Sequence, residues 1–200
     1  ADGDGISNLD EYAGGTDPNK DELPPELTIP ADISMAATGR MTDVALGDAS
    51  AVDNKDGALS PTPSATGPFK SGLYAITWSI SDAAGNSSSA VQSVEIMPLA
   101  NLTPSSVTVE GATVEVSVEL SGIAAAYPVT IPMTIGGTAS ASDFISATDA
   151  IVISEGTKGM ATLSITADDE AESEETVVII LGAPTNAALG SVTERTVTIV

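Results

Sequence analysis

Six of the eight residues from Asp168 to Glu175 are acidic, namely Asp168, Asp169, Glu170, Glu172, Glu174 and Glu175, in a chain without histidine or cysteine. Unit charges about 4 Å apart repel by ~1 kcal/mol in bulk water and ~4 kcal/mol near a protein surface, against a total domain stability of only ~5–15 kcal/mol. A loop that gathers so many carboxylates therefore calls for a cation. Oxygen is the only ligand such a loop offers, and oxygen-only coordination selects calcium over zinc or copper.

A second set of acids opens the chain. Residues 1–23 (ADGDGISNLDEYAGGTDPNKDEL) carry few apolar side chains beyond Ile6, Leu9 and Tyr12 and cannot build a core. Aligned with a 12-residue calcium loop, Asp2 takes position 3, Asp4 position 5, Gly5 the sharp turn at position 6, Asn8 position 9 and Glu11 the bidentate position 12. Position 1 would precede Ala1, so the sequence reads as an internal cut. Asp17, Asn19 and Asp21 begin a second, weaker loop, in which Glu22 stands where the turn glycine belongs.

The elements that must hold these acids are strands. With 42% hydrophobic residues but only six aromatics, the cores must be built from Val, Ile, Leu and Ala, the composition of β-sandwiches. Pro24-Pro25 ends the polar opening, and short strands follow to about Met97-Pro98. Tyr74, Ile76, Trp78 and Ile80 alternate with smaller residues, which puts Trp78 in a core, and Val91, Val94 and Ile96 mark a last strand. Asp53-Asn54-Lys55-Asp56-Gly57 and Asp82-Ala83-Ala84-Gly85-Asn86 read first as turns. Asp53, Asp56 and Asp82 are also the acids available to a calcium site at an end of this sandwich.

From residue 99 the alternation is regular. Val114, Val116, Val118 and Leu120 share one face, as do Val129, Ile131, Met133 and Ile135. Ala161, Leu163, Ile165 and Ala167 repeat the pattern, then Val177, Ile179 and Leu181, then Val197 and Ile199. With Ile151, Ile153 and the strand Val107 to Glu110, about seven strands are expected of an antiparallel sandwich. The fold expected is all-β: two tandem antiparallel β-sandwiches (24–98 and 99–200) behind a calcium-binding loop segment (1–23).

These motifs resemble known families. Residues 99–200 are similar to a Calx-beta domain through Val109-Glu110-Gly111, Gly136-Gly137-Thr138-Ala139 with Ser142-Asp143-Phe144, and Asp168 to Thr176. That resemblance implies calcium ligands at one end of the sandwich, at Glu110, Asp143, Asp168, Asp169, Glu170, Glu172 and Glu175. Phe144 stands where the family usually has Tyr, a change of packing and not of coordination. Residues 24–98 resemble hyalin-repeat and related immunoglobulin-like modules, without the hyalin cysteines, through Pro24-Pro25, Asp53-Asn54, Gly72-Leu73-Tyr74 and Asp82 to Asn86. Residues 1–23 resemble thrombospondin type-3-like calcium repeats through Asp2-Gly3-Asp4-Gly5-Ile6-Ser7, Glu11-Tyr12 and Gly15-Thr16-Asp17-Pro18.

A net charge of −22, from 28 acids and 6 bases, repels nucleic acid and anionic lipid, and no 18-residue apolar run is present for membrane insertion. The absence of cysteine fits a secreted bacterial chain and a cytosolic one alike. Calcium favours the outside of the cell, where extracellular modules work at ~10⁻⁴–10⁻³ M affinity. With no histidine or cysteine for base or thiol chemistry, an enzyme is not expected. The expectation is a calcium-binding structural segment of a secreted or cell-surface bacterial fibre or adhesin, with calcium rigidifying domain joints. Its partners would be calcium, neighbouring domains of a long chain, and other surface proteins or copies of itself. Two alternatives stand beside it: an accessory, carbohydrate-binding region of a secreted hydrolase, and a subunit of a calcium-dependent helical surface filament.

Overall fold

The computed structural model describes residues 5–15, 17, 20–104, 106–167 and 174–200. Among the described residues one short helix, α1 (Asn8–Gly14), precedes seventeen strands. The helix was not expected from a polar loop. Ser7 caps it, with its side chain accepting from the Asp10 amide, and Gly15 closes it in the left-handed region.

In chain order the next strands are β1 (Glu26–Thr28), β2 (Ile33–Ala36), β3 (Ser50–Asp53), β4 (Gly57–Leu59), β5 (Thr62–Pro63), β6 (Gly72–Ser81) and β7 (Ser87–Met97). They make a three-stranded sheet, β1-β3-β4, and a four-stranded sheet, β2-β7-β6-β5. Ile76 and Trp78 of β6 face inward as the alternation predicts. In β7 the inward phase falls on Gln92, Val94 and Ile96, so Val91 is exposed and a glutamine is buried. Gln92 is satisfied there. It accepts from Trp78 Nε1 at 3.0 Å and donates to the carbonyls of Ala31 (2.7 Å) and Leu46 (3.0 Å), which removes the cost of burying an amide.

The remaining strands are β8 (Leu99–Leu102), β9 (Ser106–Thr108), β10 (Thr113–Leu120), β11 (Val129–Gly137), β12 (Phe144–Ser146), β13 (Ala150–Ile153), β14 (Lys158–Ile165), β15 (Glu175–Leu181), β16 (Ala188–Leu189) and β17 (Glu194–Ile199). Two five-stranded sheets, β12-β14-β10-β8-β16 and β13-β11-β15-β17-β9, contribute the alternating residues to one core. Val114, Val116, Val118, Ile131, Leu163, Val177, Ile179 and Val197 lie in it. Three details depart from the antiparallel expectation. The pairs β16 with β8 and β17 with β9 are parallel. β14 ends at Ile165, which leaves Ala167 exposed. Arg195 occupies an inward position of β17, where Nη1 donates to the Glu115 carbonyl at 2.8 Å and burial lowers its pKa.

The chain divides into two compact units, one of residues 1–34, 43–68 and 73–94 and the other of residues 35–42, 69–72 and 95–200. Each unit carries its own acidic centre.

Candidate metal centre

Three aspartates from separate parts of the first unit converge. One carboxylate oxygen from each of Asp21, Asp53 and Asp82 lies within 4.8 Å of the other two. All three side chains are buried, with exposures of 1%, 2% and 8%. Such burial is rare for unpaired acids.

Local structure aims each group. Asp53 ends β3, and its Oδ1 accepts the amides of Lys55 (2.9 Å) and Asp56 (2.7 Å), closing the turn into β4. Gly57, at φ +75°, supplies the left-handed residue this turn needs. Asp82 follows β6, and its Oδ1 accepts the Asn86 amide at 2.8 Å. The Asn86 side chain donates to Asp82 Oδ2 (2.7 Å) and to the Asp21 carbonyl (3.0 Å), joining the turn to the N-terminal segment. Asp56 Oδ2 accepts the Ala83 amide at 2.6 Å, which ties the two turns together. Asp21 Oδ1 accepts the Leu23 amide at 3.3 Å.

These bonds leave Oδ2 of Asp21 and Oδ2 of Asp53 buried with no hydrogen-bond partner. Two unsatisfied carboxylate oxygens buried in one cluster are costly unless a cation or protons compensate them. The pKa directions express the same strain. Burial raises the pKa of Asp21, and the charges of Asp53 and Asp82 add to the rise against the opposing Leu23 amide and Lys55. Burial also opposes the charge on Asp82, but hydrogen bonds from Asn86 and the amides of Gly85 and Ala84 outweigh it and hold the pKa below its ordinary value.

The donor set fits a hard cation. Oxygens bound to one calcium at about 2.3–2.6 Å sit no more than about 5 Å apart, so the three carboxylates are close enough to share one ion. No sulfur or imidazole is present to attract a softer metal. Of these three residues the sequence pattern marks Asp21 in a contiguous loop and offers Asp53 and Asp82, with Asp56, only as acids at a sandwich end; the fold brings the three together.

The second unit holds a second acidic centre. Asp143 Oδ2 accepts the Ser140 amide at 2.5 Å, and this bond, with those from the Ser140 and Ser142 side chains, lowers its pKa although burial opposes the charge. Burial raises the pKa of Glu175, and the neighbouring Asp143 charge adds to it. Glu175 Oε2 is buried without a hydrogen-bond partner. The Thr166 amide donates to the Asp143 carbonyl (2.9 Å), and the Ile165 amide donates to the Ala112 carbonyl (2.8 Å). Those bonds bring the half-buried Glu110 turn and Asp143 to the end of β14 that closes at Ile165. Asp168, Asp169, Glu170 and Glu172 lie outside the described residues.

In the N-terminal segment, Asp2, Asp4 and Asn19 also lie outside the described residues. Gly5 has φ +89°, the conformation that the sharp turn of a calcium loop requires, and Glu11 is only 2% exposed although it lies on a short polar helix. Asn8 and Asp17 are exposed.

No family model matches the chain, and no curated protein matches it. Among solved structures, the crystal structure of an apo-form Calx CBD1 domain is similar at a TM-score of 0.42 and 21% identity, covering 52% of this chain and 96% of that one. A protein of unknown function from Porphyromonas gingivalis W83 is similar at a TM-score of 0.30 and 9% identity, covering 90% of this chain and 86% of that one. Neither likeness bears on the segments that resemble hyalin or thrombospondin type-3 repeats.

Proposed function

We propose that this chain is a calcium-binding structural segment of a secreted or cell-surface bacterial fibre or adhesin, in which calcium rigidifies the modules and their joints. The observation that carries the reading is the buried Asp21, Asp53 and Asp82 cluster with its two unpartnered oxygens. A cation there satisfies both oxygens and cancels the repulsion among the three charges. Calcium is the ion proposed, because its 6–8 oxygen ligands can be shared among carboxylates, carbonyls and water in irregular geometry, where magnesium demands a near-ideal octahedron. Millimolar calcium outside cells supports an extracellular setting for this reading.

The carbohydrate-binding alternative needs a platform of exposed aromatics. Trp78 and Phe69 are buried, Tyr74, Tyr127 and Phe144 are half-buried, and Tyr12 alone among the aromatics is fully exposed. The Tyr127 hydroxyl is held by the Gly156 carbonyl and the Ala124 amide. These placements favour the structural reading. Calorimetric titration of the full chain with CaCl2 after EGTA treatment tests it. Wild type is expected to bind at least one ion that Asp53→Asn does not, and identical isotherms would overturn the reading.

A further inference from the structure

The N-terminal segment enters the first unit in an unusual way. Among the described residues from 5 to 23, only Glu11 and Asp21 are buried, and both are acids. The apolar side chains of the segment dock it only in part: Leu9 is 76% exposed, Tyr12 83%, Ile6 36% and Leu23 38%. Hydrophobic burial, the usual force that holds a terminal segment against a sandwich, is therefore partial, resting on Ile6, Leu23 and, just after the segment, the buried Pro25. Hydrogen bonds at the docking point add to it. Asn86 Nδ2 donates to the carbonyls of Asp21 and, at 3.4 Å, Leu23, and the Ser88 hydroxyl donates to the Pro25 carbonyl at 2.5 Å. Against them stands the repulsion between Asp21 and the two aspartates of the sandwich turns.

We infer that the Asp21, Asp53 and Asp82 site is a calcium latch: the ion ties the N-terminal segment to the sandwich, and its loss releases residues 20–23 while the sheets stay folded. The inference rests on the proposed calcium reading and adds a partner surface to it, because one ligand comes from the segment and two come from the sandwich. The asymmetry follows from what holds each side. Asp53 and Asp82 are fixed by backbone amides of their own turns, and those turns are linked through Asp56 and the Ala83 amide. Asp21 is fixed by one long bond from the Leu23 amide and, through its carbonyl, by Asn86. The sandwich half of the site is thus preorganised without metal, and the segment half is not. A carboxylate entering a pocket that already holds two others gains from the ion what it cannot gain from packing.

Amide hydrogen exchange of the full chain, in CaCl2 and in EGTA, tests the latch, with calorimetry on the same samples. The expected result is that in EGTA residues 20–23 exchange freely while residues 92–96 of β7 stay protected, that calcium slows exchange of residues 20–23 at least tenfold, and that it does not slow them in Asp53→Asn. Asp21→Asn provides a second variant that leaves the sandwich turns intact and is expected to behave as Asp53→Asn does. Calcium binding by calorimetry with unchanged exchange at residues 20–23 would overturn the latch and leave the calcium reading standing. Isotherms that do not differ between wild type and both variants would overturn the two together.

Discussion

The two acidic centres of this protein are built in opposite ways. In the second unit the sequence offers a contiguous run of acids from Asp168 to Glu175, and the structure sets Glu175, at its end, beside Asp143. In the first unit three isolated aspartates are gathered from a terminal segment and two turns, and the fold itself makes the cluster. In the gathered triad Asp53 and Asp82 are buried and pinned by their own turns, so only Asp21 can move away. A count of neighbouring acids therefore measures how visible a cation site is, and burial with unsatisfied oxygens measures how strongly it needs one.

The largest effect expected from that contrast is on stability. Trp78 is the single tryptophan and lies in the first unit, so its fluorescence reports unfolding of the triad's own sandwich. An ion held at 100 times its dissociation constant adds about 2.7 kcal/mol, which for a domain of this size raises the melting temperature on the order of 10 °C. Calcium is expected to raise the Trp78-reported melt by about that much in wild type and to leave Asp53→Asn unchanged.

A smaller effect separates the centres. Asp143→Asn is expected to weaken calcium binding to the second unit, read by NMR of the residues around β15, with no change in the Trp78-reported melt. A shift in both would show that the two centres do not act independently.

The third prediction concerns pH without metal. The raised pKa of Asp21 means that its contribution to stability is fully present below the ordinary value of 3.8 and is lost as pH rises through the higher folded value. The lowered pKa of Asp82 acts the other way, stabilising above the ordinary value and failing only as pH falls through its folded value. In EGTA at neutral pH, Asp21→Asn is therefore expected to melt a few degrees higher than wild type, and the difference should close as pH approaches 3.8. In calcium the order reverses, with wild type the more stable. The smallest effect expected is that of Asn86→Ala, which frees Asp82 and the Asp21 carbonyl but keeps all three carboxylates. A loss of calcium affinity of about tenfold, the usual scale for a group that orients a ligand, would be read by calorimetry.

Much of the fold could be read from the chain because its strands are half-buried and alternate with period two. Val114 to Leu120 and Val177 to Leu181 show their inward faces directly. The strands that escaped are short, such as β12 and β16, and two or three residues cannot display a period. Gln92 and Arg195 were hidden for a different reason. Their inward positions are set by strand phase, while their polarity is answered by carbonyls from distant loops and strands that no local pattern announces.

The triad was half legible. Asp21 stood out among neighbouring acids, whereas Asp53 and Asp82 lay in sequences that make ordinary turns, and they do make them. One oxygen of Asp53 closes its turn and the other is buried without a partner, so turn former and candidate ligand are the same side chain. Sequence shows the first role and offers the second only as one acid among several; the assembled fold brings Asp53 and Asp82 to Asp21.

The most direct test of the account is a crystal structure of the full chain grown in millimolar CaCl2, with a lanthanide-exchanged crystal to identify the ion by anomalous scattering. The account predicts an ion bound by Asp21, Asp53 and Asp82 at about 2.3–2.6 Å, with the Oδ2 atoms of Asp21 and Asp53 among its ligands. Ordered triad carboxylates with no anomalous peak between them, in crystals saturated with the ion, would contradict it.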